Sequence, residues 1–149
     1  MTYDITGLTG EQAHTIVRAL DLYSRLSLGQ VGEVGGVIMD MHFNRCHDKI
    51  TRWDLQELCN KTLKPYLDLE QGEHLGMGHQ EQSESGKMAY DIECVIRNKL
   101  AKTENHHEHS VWHRTPLHYS QEPLPIIKSY EATVSNTPEQ TLDDQDNQH

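Results

Sequence analysis

QVGEVGGVIMDMHF, Gln30 to Phe43, is the stretch on which the reading of the fold turns. At helical period Val31, Val34, Val37, Ile38 and Met41 share one face. Gly32, Gly35 and Gly36 share the opposite face with Met39 and Phe43. A glycine inside a helix costs about 0.5–1 kcal/mol relative to alanine. Three so close together ask for compensation, and a second backbone lying against the glycine side supplies it. The expectation is a helix packed on both faces, in the middle of a domain or at a seam between subunits. The alternative is a helix broken at Gly35-Gly36.

Upstream, Thr9-Gly10-Glu11-Gln12 is a capping-box pattern, so a helix runs from there to about Leu28. Ala13, Ile16, Val17, Leu20 and Tyr23 line its apolar side, and His14, Arg18, Asp21 and Arg25 form a ridge on the other. Gly29 reads as a cap or kink. Downstream, Thr51 is a candidate cap for a third helix, Arg52 to about Leu63, with apolar content from Trp53, Leu55, Leu58 and Cys59; Pro65 marks its end. Glu70 to Gly86 is polar and glycine-rich and reads as a long loop. A fourth helix spans about Ser85 to Lys102, with Met88, Ala89, Ile92, Val95, Ile96 and Leu100 on its core face. Val111–Arg114 and Leu124–Tyr130 are candidates for two short strands around a proline-bearing turn. The fold class expected is therefore mainly α: one helical domain of about four helices over residues 1–132, with a short strand pair or extended arm near its end, then a disordered acidic tail over 133–149.

The 149 residues suffice for one core, but a hydrophobic fraction of 35% and an aromatic fraction of 6% make it modest. Net charge is −10, and from Glu131 onward there are five acids and no Lys or Arg. A general duplex-binding protein carries a basic face; none is visible, and direct nucleic-acid binding is not expected. No apolar run approaches the ~20 residues of a membrane span. Cys46, Cys59 and Cys94 are odd in number and scattered, unlike a disulfide framework. MTYDITGLTGEQ has no basic segment followed by an apolar one, so a reducing cytoplasm is the expected setting.

ALDLYSRLSLGQ (Ala19 to Gln30), AYDIECVIRNKLA (Ala89 to Ala101) and PLHYSQEPLPII (Pro116 to Ile127) resemble blocks of a family of short accessory proteins of tailed bacteriophages, of uncharacterised function. The blocks come in the same order and span roughly residues 8–130. The resemblance implies a phage accessory product acting in the host cytoplasm. It brings no active site to carry over.

Among residues that carry chemistry, the densest cluster is His106, His107, His109 and His113, a candidate set for zinc. It lacks the spacing of an HExxH helix or paired CxxC motifs, and a solvated loop whose histidines titrate near pH 6.5 is the simpler reading. No GxSxG, Walker or GxGxxG pattern occurs. If the first and fourth helices lie side by side, Arg18, Arg25, Gln30, Tyr90 and Arg97 converge on a groove that His118 and Tyr119 could cover. Guanidiniums beside a tyrosine grip phosphate or carboxylate. The simpler account pairs Arg97 with Glu93 and Arg25 with Asp21 at i, i+4.

The function expected is a non-enzymatic, self-associating counter-defence factor. It sequesters a small anionic ligand of nucleotide type or blocks a host protein. The alternatives are an acidic decoy for a host nucleic-acid-binding protein and a metal-dependent hydrolase built on the histidine segment.

Overall fold

A computed structural model describes residues 5–42, 50–104 and 114–128. The expected acidic tail from Thr133, the histidine cluster His106, His107, His109 and His113, and Phe43 and Cys46 lie outside these residues. The regular structure within them is helical: α1 (Gly10–Ser27), α2 (Gly32–His42), α3 (Arg52–Leu63) with a 3-10 turn at Lys64–Leu67, and α4 (Glu84–Thr103).

α1, α3 and α4 each start where a side chain takes up free amides. Thr9 Oγ1 accepts from the Gln12 amide at 3.2 Å, and Gln12 Oε1 accepts from the Thr9 amide at 2.9 Å. Thr51 and Asp54 form the same reciprocal pair at the head of α3. Ser83 caps α4 through the Gly86 amide at 3.1 Å. After α1 the chain reverses at Gly29, whose φ of +79° suits glycine alone among ordinary residues.

The glycines of α2 do what their spacing asks. A Cβ at Gly35 would lie 2.5–2.6 Å from the carbonyl of Leu55 and the amide of Gln56, so the backbone of α3 rests directly on α2. Gly32 faces the Asn60 carboxamide and Gly36 the Arg52 guanidinium. Arg52 then reaches across to Asp40 at 2.7 Å. The helix runs unbroken through Gly35-Gly36. Within one chain, packing among the described residues covers the glycine face and only part of the other. Val31 is buried and Val34 and Val37 are half-buried, but Ile38 and Met41 on the side away from the glycines are exposed.

The helices form two pairs. α1 lies along α4 and α2 along α3, and the contact of α1 with α2 is much smaller. Among the described residues no close approach joins α3 to α1 or α4, or α2 to α4. The Leu75 amide donates to the Leu28 carbonyl at 2.8 Å, so residues 29–74 leave and re-enter the α1–α4 pair at one point. Beside it the Ser27 hydroxyl lies against Gly86 and accepts from Gln82 Nε2 at 3.3 Å.

The expected core faces are partly displaced. On α1 only Val17 and Ser24 are buried, and Tyr23 sits at the rim, its hydroxyl donating to Ser85 Oγ at 3.1 Å. On α4 the buried set is Gly86, Ala89, Asp91, Glu93, Cys94, Asn98 and Ala101, not the aliphatic stripe; Met88, Ile92, Val95, Ile96 and Leu100 are half-buried. Of the buried polar side chains, Asp91 and Asn98 hold the segment after α4, and Glu93 pairs with Arg97 on α4 itself. Of the strand pair and the extended arm, the described residues have the arm. Of the expected strands, Val111–His113 and Ser129–Tyr130 lie outside the described residues; residues 114–128 contain no strand, and Pro125 removes an amide that a ladder through Leu124–Lys128 would need.

This arm runs back along α4. Asn98 Nδ2 donates to the Arg114 carbonyl at 2.8 Å. Asp91, 2% exposed, accepts from the Tyr119 amide at 3.0 Å, the Ser120 amide at 2.8 Å and the Ser120 hydroxyl at 2.6 Å. Glu84 accepts from the Gln121 amide. Asn98, Asp91 and Glu84 are seven residues apart, two helical turns each, and so form one line of acceptors and donors.

Candidate functional site

α1 and α4 are neighbours, so the ridge of the one meets the polar edge of the other. At one end His14 Nε2 lies 2.9 Å from Glu104. One turn further on Arg18 is exposed, and among the described residues it makes no ion pair. Arg25 Nε donates to Asp21 at 2.8 Å, its Nη1 donates to Gln30 Oε1 at 3.3 Å and lies 3.7 Å from Glu33. Burial pulls the Arg25 guanidinium down, but the bond to Asp21 and the charges of Asp21, Glu33 and Glu93 outweigh it, and its pKa rises. Arg97 pairs with Glu93 at 3.0 Å and approaches Cys94 Sγ at 3.5 Å.

Glu93 is the charged centre of this seam. It is 2% exposed, and desolvation raises its pKa above the ordinary carboxylate value against the pull of Arg97. Burial pushes the Cys94 thiol up to about 11 and the Tyr90 phenol to about 12, with neighbouring groups adding to both shifts. Neither is set up as a nucleophile or base near neutral pH. The Tyr90 ring meets Tyr119 edge-on at 5.7 Å between centroids. His118 sits on the arm; its Nε2 contacts the Glu122 carbonyl at 2.6 Å and lies 3.9 Å from Asp91.

The structure thus gathers Arg25 with Gln30, and Tyr90 with Tyr119, and sets Arg25 and Arg97 about the same Glu93. It leaves Arg18 apart. Two guanidiniums share this seam with three carboxylates, Asp21, Glu33 and Glu93. An entering phosphate would have to displace Asp21 from Arg25 and Glu93 from Arg97, leaving a buried carboxylate unpaired.

A cleft of about 430 Å3 lies elsewhere, between the first turn of α2, one face of α3 and the segment Gln71–His74. Gln30 is the one residue of the expected site that borders it. Its other walls include Glu33, Trp53, Gln56, Glu57 and Lys64. Trp53, Gln56, Glu57, Asn60 and Lys64 recur at helical spacing, a signal that was present in the sequence but also fits an ordinary helix face. Among the described residues no group of three or more His, Cys, Asp or Glu is placed to hold a metal ion. No helix of the described residues is long and apolar enough to cross a membrane. Comparison with protein-family models, curated proteins and solved structures finds no match to the chain.

Proposed function

We propose that the chain is a non-enzymatic phage accessory protein that acts by docking on a host protein through its α2–α3 layer. One observation carries this reading. α3 is twelve residues long and none of them is buried, while Trp53, Leu58 and Leu63, and Tyr66 and Leu67 just after, stand open to solvent. A pair of helices is one layer, and a layer with an open apolar side is completed by another. Nothing in the described part of this chain supplies that second layer. The occupant is a protein of basic character, because the cleft bordering α3 carries the carboxylates of Glu33 and Glu57. Sequestration of a small anionic ligand is the weaker form of the reading, since Arg25 and Arg97 are already held by carboxylates. Self-association is a second reading, favoured by Ile38 and Met41 on the outer side of α2.

A photo-crosslinking residue in place of Leu58 should give one dominant adduct with a host protein in cells. A probe at exposed Glu11 on α1 should not. The same probe at Ile38 should link two copies if the chain self-associates. Adducts from Leu58 with nothing but a second copy, or none, overturn host docking.

A further inference from the structure

We infer that the cleft beside Trp53 is an arginine-binding pocket, filled by a guanidinium that the docked protein presents. This rests on the docking reading above and names the chemistry of the contact. The walls are held in place. Lys64 sends its ammonium to the Glu73 carbonyl, Leu69 packs onto Gly29, and the Leu75 amide is tied to the Leu28 carbonyl. The cavity is therefore built by the fold before anything enters it.

Its charges select a cation. Lys64 is buried at 6% exposure with its ammonium turned to that carbonyl, so it offers little to an incoming group. Glu33 and Glu57 keep 34% of their side-chain surface open. Glu33 is only loosely held by Arg25, at 3.7 Å, and Glu57 is shared with Lys61 at 2.7 Å. Trp53, 70% exposed, gives an indole on the rim. Gln56 and Asn60 add carboxamides whose oxygens accept. A guanidinium matches all three features: it stacks on an indole, donates in a planar fork to carboxylates, and has N–H groups left over for carboxamide oxygens; it is also less strongly hydrated than an ammonium. A phosphate or carboxylate would meet two like charges.

The test uses the full-length chain with Trp112→Phe, which leaves Trp53 as the only tryptophan. Its fluorescence is titrated with a hexa-arginine peptide, a hexa-lysine peptide and a glycine–serine hexamer. Saturable quenching by hexa-arginine is expected, with at least about tenfold weaker response to hexa-lysine and none to the neutral peptide. Glu33→Gln with Glu57→Gln should weaken arginine binding about tenfold or more, with the helical circular-dichroism signal unchanged. Asp143→Asn, Asp144→Asn and Asp146→Asn together should leave it intact. Equal response to both basic peptides, or loss in the tail variant and not in the cleft variant, overturns the pocket. A Leu58 adduct without arginine binding sinks the pocket alone. Arginine binding without a host adduct sinks the docking reading and keeps the pocket.

Discussion

At the scale of single residues, Glu93 holds the most consequential position. Its carboxyl is almost fully buried, and desolvation outweighs Arg97 in setting its pKa. A carboxyl whose folded pKa is raised binds its proton more tightly in the folded than in the unfolded chain. Its contribution therefore favours the fold below the ordinary value of 4.5 and is lost as pH rises through the raised value. Glu93→Gln removes that dependence. The melting temperature of Glu93→Gln relative to the parent should thus be higher at pH 7 than at pH 4.5. A difference independent of pH would show that Arg97 compensates burial fully. The pairing of Glu93 with Arg97 and of Asp21 with Arg25 was legible in the sequence, because i, i+4 spacing on a helix leaves little choice. The burial of Glu93 and Asp91 was not. It depends on α1 and the arm arriving on those faces, and a charge in the sequence does not show what will cover it.

At the scale of elements, the contact between α2 and α3 shows how far a local pattern reaches. Three glycines on one helical face announced a close backbone, and Leu55–Gln56 is that backbone. Which segment would come there was not readable, since α3 has no matching notch and its apolar residues face outward. The helix starts were readable because Thr9 and Thr51 form their caps within four residues. Gly35→Ala separates packing from propensity. Alanine should gain about 1 kcal/mol of helix propensity, but its methyl would collide with α3 backbone that cannot swing aside. Overpacking typically costs about 1–3 kcal/mol, so chemical denaturation should show net destabilisation. Gly10→Ala, where the nearest atom stands at an ordinary 3.5 Å, should be neutral or stabilising.

At the scale of the whole molecule, the two helix pairs differ in what holds them. The α1–α4 pair carries buried side chains along its length and the arm fastened across it, whereas α3 buries none. Regions with few buried contacts open at lower free energy. Native-state hydrogen exchange should give lower protection for the amides of α3 than for the middle of α4. Protection in α3 equal to that of α4 would mean one cooperative unit. This division was invisible in the chain itself. Four amphipathic helices with short caps fit a single bundle as well as two pairs, and only the Leu28–Leu75 closure separates them.

That closure makes residues 29–74 a side excursion hung from a narrow neck. Any strain a docked molecule imposes on the excursion can travel to the larger pair by few routes. They are the two main-chain crossings, the small contact between α1 and α2, and the reach of Arg25 to Gln30 and Glu33. The guanidinium of Arg25 stands at both places at once, so a newcomer that takes Glu33 away from it is felt at the seam around Glu93.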